Sequence, residues 1–403
     1  MSERDFLTEG GVTRRAVLAK AGGIGAMLAL GGVTAPLRRI AGEAYAADQP
    51  VIQGKDRLIV RSGRPLNLEM PIGLVDSWIT PTPLHFVRNH YEVPVVDPNE
   101  LRLRVEGAVE RPLALALDDL KRLPVIEEVV TLECAGNGRS FFDPKVPGAQ
   151  WQRGAVGTAR YKGARLADVL QRAGISPAGR HVLLDGADQP PVPTAPDFVR
   201  SIPVEKAMAP ETLLAYEMNG EPLPAVHGFP LRAIVPGWIG SANVKWLVRV
   251  AVLEQPHDGH FMVKGYRFPR SPVAPGEKVD PKDMEVVTEL DVKSVIAQPG
   301  DGARIATGSV KVTGAAWAGE AEIARVDVST DFGRTWQPAR LGADRARYAW
   351  RLWELDWMVR ERGAYLLMSR ATDSRGRTQP IAPFWNPNGY LWNVVDQVQV
   401  RVS

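Results

Sequence analysis

The sequence predicts an α+β fold in two parts: a mixed α/β region followed by an antiparallel β-sandwich. Two observations carry this. Between residues 101 and 275, strand and helix signals are mixed without the regular winding of a βαβ protein. Beyond residue 276, short strands of alternating polarity recur between turn signals, the pattern of a sandwich. Length agrees, because a single core seldom grows beyond ~250–300 residues and 357 of the 403 residues follow position 46.

The elements can be justified in order. Residues 47–95 read as an extended lead-in punctuated by Pro65, Pro71, Pro81, Pro83 and Pro94. Residues 101–105 alternate apolar and charged side chains, as a half-buried strand does. Residues 117–123 have helical spacing and stop at Pro124; residues 165–173 form a second short helix ended by Gly174. Residues 182–184 and 231–235 have the composition of buried strands. Ser271-Pro272-Val273-Ala274-Pro275-Gly276 reads as a connecting loop. Sandwich strands are expected at 309–316, 323–330, 348–355 and 364–372, with turns at Asp331-Phe332-Gly333-Arg334 and Asp373-Ser374-Arg375-Gly376. No cysteine pair is present, so any immunoglobulin likeness is architectural. The expected division is 1–46, 47–275 and 276–403.

Residues 1–46 read as an export signal. Arg14-Arg15 precede a Gly- and Ala-rich apolar run over residues 21–33, and Ala44-Tyr45-Ala46 supplies a small-x-small cleavage pattern before Ala47. The run is too short and too Gly-rich for an anchor, which needs ~20 strongly apolar residues. The expectation is export of the folded protein by the twin-arginine route to the periplasm, with no membrane anchor after cleavage. Residues 1–46 carry six Lys/Arg and four Asp/Glu. Without them, 43 basic residues face 42 acidic ones, a net charge of +1. No basic block suggests nucleic acid. Twin-arginine export commonly carries proteins already loaded with a cofactor, so a cofactor is expected.

Cys134 is the only cysteine in the sequence. It cannot form an internal disulfide or a Cys-rich metal cluster. It follows the apolar run Val129-Val130-Thr131-Leu132 and opens Cys134-Ala135-Gly136-Asn137-Gly138-Arg139-Ser140. That context reads as a strand emptying into a Gly-rich loop, with a cation nearby to favour the thiolate, the form that ligates metals or attacks substrates. An inert, buried cysteine packed as a small hydrophobe is the alternative.

Several further segments occur in order with it: Phe86-Val87-Arg88-Asn89-His90, Leu214-Ala215-Tyr216-Glu217-Met218-Asn219-Gly220, His227-Gly228-Phe229-Pro230-Leu231-Arg232, Pro236-Gly237-Trp238-Ile239-Gly240 and Asn243-Val244-Lys245-Trp246-Leu247. Together they closely resemble the sulfite oxidase family of molybdenum enzymes, over about residues 85–403. The resemblance implies a molybdopterin-binding domain followed by an immunoglobulin-like dimerisation domain, hence a homodimer. It implies that Cys134 is the one protein ligand to molybdenum of a molybdenum–molybdopterin cofactor. A soft thiolate suits such a sulfur-rich centre. His227, Arg232 and Lys245 match the residues that hold the pterin phosphate. His90 and Asp188 match further cofactor contacts. Arg88 and Arg139 match the arginines near the metal and anion pocket, and Trp151 a pocket-wall tryptophan. Tyr266, 39 residues after His227, matches the active-site tyrosine.

The implied reaction is oxidation of sulfite to sulfate. Neither a Cys-x-x-Cys-His motif nor a cytochrome b5-like His-Pro-Gly-Gly is present, so no haem is expected and electrons are expected to leave to an external c-type cytochrome. Two departures stand out. Gly265 precedes Tyr266 where the family often has an acid. Asn388, in Phe384-Trp385-Asn386-Pro387-Asn388-Gly389, stands where the family sends an arginine into the anion pocket; Arg267 is a candidate substitute. Two readings compete. One is a molybdenum reductase of an S-oxide or another oxyanion, which Gly265 and Asn388 keep open. The other is a cofactor-free binding protein built on the sandwich, which leaves Cys134 and the export signal without a reason.

Overall fold

In the computed structural model, residues 54–403 are described; the paired arginines and the cleavage pattern lie outside the described residues. Two sheets build the site-bearing part. The first is ordered Glu221–Pro222, Leu213–Met218, Val156–Arg165, Val125–Glu133, with Arg232–Ile234 also paired to Leu213–Met218. The second is ordered Leu113–Leu115, Leu103–Gly107, Leu247–Leu253, His181–Gly186, Val199–Pro203. Within it only Leu247–Leu253 and Leu103–Gly107 run parallel.

Strand Val125–Glu133 shows how sequence places the site. Its first half, Val-Ile-Glu-Glu, is at least partly exposed, whereas residues 129–133 are buried throughout. The strand therefore dives into the interior and delivers Cys134 there. Helix Leu166–Ala173 buries Leu166, Val169, Leu170 and Ala173 along one face and ends at Gly174, whose φ of 72° needs no Cβ. The expected helix at 117–123 is observed as Leu117–Lys121.

The sandwich packs sheet Lys293–Gln298, Gly308–Trp317, Arg351–Val359, Arg340–Leu341 against sheet Ala303–Ile305, Asp396–Val402, Gly363–Asp373, Ile323–Ser329, Gln337–Pro338. Val312, Val326, Trp353, Leu367 and Val398 fill the space between. Three of its four expected strands are observed nearly as read. The fourth is shifted, from 348–355 to Arg351–Val359. Tyr348 and Trp350 are withdrawn from it to bind strand Val125–Glu133: Thr131 N donates to Tyr348 O at 2.8 Å, and Trp350 N to Thr131 Oγ1 at 2.7 Å. The lead-in is not simply extended; it forms a three-stranded sheet of Ile59–Ser62, Asn67–Glu69 and Val87–Arg88.

Either side of the expected 275/276 boundary, Arg267–Pro269 pairs with Met284–Val286. One apolar cluster contains Val252 together with Val295, Trp317 and Trp350. Among the described residues no helix is long and apolar enough to cross a membrane.

Candidate active site

Cys134 follows directly on the buried strand end and is 8% exposed. Its loop is pinned on all sides. Cys134 N donates to Ala155 O at 2.9 Å and Asn137 N donates back to Cys134 O at 2.8 Å. Next to it, the Glu133 carboxylate is buried and accepts from Asn137 Nδ2 at 2.9 Å, Trp317 Nε1 at 2.8 Å and the Lys293 ammonium. Lys293 and Trp317 belong to the sandwich, so the second part of the chain grips the thiol-bearing loop.

Two cavities meet at this thiol. An inner one is walled by His85, Asn89, Asp188, His227, Arg232, Ser241 and Lys245. An outer one is walled by Arg139, Gly148, His260, Gly265, Asn388 and Tyr390. Arg88, His90, Cys134 and Tyr266 border both.

The inner cavity is strongly cationic. Arg232 donates to His227 O at 2.8 Å and Asn243 O at 3.0 Å. Lys245 donates to Val226 O at 3.0 Å and to Asn89 Oδ1, with Nζ 4.1 Å from the Trp246 ring centre. Burial, then the Arg232 charge, holds the Lys245 ammonium well below its usual range. Burial, then Lys55, does the same to His227; burial, then Arg88, does so to His90. Burial raises the Asp188 carboxyl to about 6. Lys55, Arg88, Arg232 and Lys245 thus face one carboxylate, Asp188, whose charge is itself disfavoured. An anion answers that imbalance.

A molybdopterin cofactor fits these residues. Four buried polar atoms on the inner wall have no partner among the described residues: His85 Nε2, Asn89 Nδ2, Arg232 Nε and Ser241 Oγ. Buried polar groups rarely stay unsatisfied, and a polar, phosphate-bearing ligand supplies what they lack. Among the described residues no group of three or more His, Cys, Asp or Glu could hold a metal ion. A metal at Cys134 would therefore take its remaining ligands from the cofactor.

In the outer cavity Arg139 is the principal cation. Its Nη1 donates to Ala149 O at 3.2 Å and its Nε to Asn388 O at 3.3 Å, with Cζ 5.2 Å from the Tyr390 ring. Glycines make room for it. A Cβ on Gly136 would lie 2.6 Å from Arg139 Nη2, and one on Gly148, whose φ is +112°, 2.7 Å from Nη1. Tyr266 stacks on Tyr390 with ring centres 5.3 Å apart and an interplanar angle of 9°. Its hydroxyl lies 2.7 Å from His90 Nε2. Burial pushes the phenol up and the imidazole down, so Tyr266 donates and His90 accepts.

The structure brings Cys134, Arg88, His90, Asp188, His227, Arg232, Lys245, Arg139 and Tyr266 to these two cavities. Two expectations need correction. Trp151 borders neither cavity; it is fully buried in the apolar cluster behind Cys134 with Phe86, Val130 and Tyr161. Its large, mostly apolar ring gains more from burial in that cluster than from a place on a polar wall. Arg267 is no substitute for the missing arginine, because its guanidinium is committed to the carbonyls of Met262, Pro281 and Met284. Asn388 does border the outer cavity, with its amide turned to Arg267 O at 2.8 Å.

Four residues escaped the sequence reading. Lys55 and His85 lie in the proline-rich lead-in, where no local signal marks them. Tyr390 follows the Asn388-Gly389 pair and gave no cue. Arg200 is 2% exposed with its Cζ 5.0 Å from the Tyr266 ring; burial lowers it to about 10. A single arginine in a strand carries no signature of such a position.

Comparison with known proteins agrees with the geometry. The chain matches the family profile of the oxidoreductase molybdopterin binding domain over residues 90–261 and that of the Mo-co oxidoreductase dimerisation domain over residues 284–403. It is 43% identical over 373 residues to mitochondrial sulfite oxidase of Homo sapiens, spanning 89% of this chain and 68% of that protein. Against sulfite oxidase of Arabidopsis thaliana it is 33% identical over 374 residues, spanning 86% of this chain and 94% of that one. Among solved structures, the sulfane dehydrogenase SoxCD of Paracoccus pantotrophus superposes with a TM-score of 0.75 at 30% identity, covering 84% of this chain and 85% of that one. With both family domains in order and a relative this similar over most of its length, the chain belongs to the sulfite oxidase family of molybdopterin-dependent oxidoreductases.

Proposed function

We propose that this protein oxidises sulfite to sulfate in the periplasm, as a homodimer, and passes the electrons to an external c-type cytochrome. The observation that carries the reading is the junction of the two cavities at Cys134. The inner cavity offers clustered cations and orphaned donors to a phosphate-bearing cofactor, and the outer one offers arginine to a small anion. A bound molybdenum–molybdopterin cofactor supplies the two-electron redox centre and the oxygen that sulfur receives.

The chain's own residues do the rest. Cys134 presents its thiolate to the metal. His227, Arg232 and Lys245 would hold the cofactor's phosphate, and His90 and Asp188 would make further contacts to it. Arg88 and Arg139 attract the sulfite dianion and orient it, through charge-assisted hydrogen bonds. Tyr266 keeps its proton on Oη, donating to His90 Nε2, and walls the approach to Cys134. The matched dimerisation domain supports the homodimer, and the paired arginines at positions 14 and 15 support export.

The neutral Asn388 and the side-chain-free Gly265, which both border the outer cavity, favour a second reading, reduction of an S-oxide or another oxyanion at the same centre. One experiment separates them. Purified protein of known molybdenum content is assayed for sulfite-dependent reduction of cytochrome c and, in parallel, for S-oxide reduction with an artificial donor. Sulfite oxidation by the loaded protein is expected; its absence alongside S-oxide turnover would install the second reading.

A further inference from the structure

Lys55 precedes every segment that carries the family likeness, and the catalytic-domain match begins only at residue 90. Its side chain is nonetheless 7% exposed, and its Nζ ends among two cavity-lining histidines. It donates to Thr82 O at 2.5 Å and His85 O at 2.8 Å, and it lies 2.7 Å from His227 Nε2. The carbonyl oxygens can only accept, and with an anion in the inner cavity to keep Lys55 charged against its burial, its ammonium has three protons to give. With two spent on carbonyls, the third points at His227 Nε2, which must then be the acceptor. His227 is neutral, because burial and the surrounding cations Lys55, Lys245 and Arg232 disfavour its charged form. A neutral imidazole carries one proton, so that proton resides on Nδ1. Nδ1 makes no hydrogen bond within the described protein and is left to whatever fills the inner cavity.

We propose that Lys55 is a positioning residue for the cofactor: by donating to Nε2 of His227 it holds the proton on Nδ1 and makes that ring a hydrogen-bond donor to the cofactor's phosphate. Without Lys55 the ring is free to carry its proton on Nε2, and Nδ1 then turns a lone pair toward an anion. The inference rests on the reading that the phosphate lies at His227, Arg232 and Lys245. His85, whose ring meets that of His227 edge-on at 5.2 Å, cannot take over, because its Nδ1 lies 3.3 Å from Phe86 O and no hydrogen bond joins the two rings.

The test compares wild type, Lys55→Met and Lys55→Arg in the full chain. Molybdenum and pterin retained per protein are followed over time after gel filtration. The His227 tautomer is read by ¹⁵N NMR of histidine-labelled protein, and thermal unfolding of the cofactor-free forms controls for folding. Lys55→Met should release cofactor roughly tenfold to a hundredfold faster, the usual effect of losing a group that orients a ligand. Its His227 proton should move to Nε2. Lys55→Arg, which keeps the charge and the donors, should retain most of the cofactor and the Nδ1–H form. Wild-type retention by a folded Lys55→Met would overturn the proposal. So would an Nε2–H tautomer in loaded wild type, a readout that survives even if the methionine variant does not fold. Neither measurement uses sulfite, so loss of sulfite turnover at full cofactor content would count against the functional reading alone. Full cofactor retention by His227→Ala would instead displace the phosphate from this corner.

Discussion

Arg139→Ala tests the outer cavity most directly. In the folded protein its guanidinium is held to Ala149 O and Asn388 O at 3.2 and 3.3 Å, over the Tyr390 ring. Because its residue is only 7% exposed, water screens it weakly. A hydrogen bond to a charged group contributes about 1.5–3 kcal/mol. Losing one such contact to bound sulfite should therefore raise KM by about one to two decades, at 1.4 kcal/mol per decade. Saturated turnover should fall less, because the lost contact is mainly ground-state binding. Arg139→Lys should fall between, since an ammonium restores the charge but not the planar fork that reaches both carbonyls and the anion. The assay is initial rate against sulfite concentration at low ionic strength, with excess electron acceptor and rates normalised to molybdenum. A KM within about twofold of wild type in fully loaded Arg139→Ala would refute an anion role for this arginine, a limit set well inside the expected loss.

Cys134→Ser should abolish sulfite oxidation while most cofactor remains, because the phosphate contacts are untouched; near-normal turnover would remove Cys134 from the metal. Arg232→Ala and Lys245→Ala should each lower molybdenum occupancy of purified protein, and full occupancy in both would move the phosphate elsewhere. Asn388→Arg should tighten sulfite binding, or at least preserve it, if the cavity manages an anion without the family's arginine; paired measurement of sulfite KM and S-oxide reduction reads the outcome. Stability of the cofactor-free protein should depend on pH through Lys55, which burial lowers to about 7 in the folded state against ~10.4 when unfolded. Between those values the unfolded chain binds more protons, so stability should rise with pH from about 7 to about 10. The titratable groups facing Lys55 are His85, His227 and Lys245, with no carboxylate among them. Thermal unfolding across that range should show the slope in wild type and a shallower one in Lys55→Met, where Lys245, also held low by burial, still contributes.

Much of the site was legible because its chemistry is local. A thiol after an apolar strand and before a Gly-rich loop can be read from ten consecutive residues, and the segments around His90, His227 and Lys245 are equally contiguous. The helix at Leu166–Ala173 was legible from its apolar period and its terminal glycine. Strand Asp396–Val402 alternates buried and exposed residues along its length and could have been found the same way. The shift of a sandwich strand to Arg351–Val359 was not readable, because Tyr348 and Trp350 leave it for partners more than two hundred residues away in sequence.

What the sequence determined alone was the α+β-then-sandwich order, the lone thiol and the residue types gathered around it, since backbone periodicity and side-chain chemistry are written residue by residue. What only the tertiary structure decided was which of those side chains share a cavity. Trp151 went to the core, Arg267 to backbone carbonyls, and Lys55, His85, Arg200 and Tyr390 came to the site unannounced. The physical reason is that burial and hydrogen-bond satisfaction are properties of three-dimensional neighbourhoods, and the groups that orient Cys134 and His227 are brought to them by packing between segments far apart in the chain.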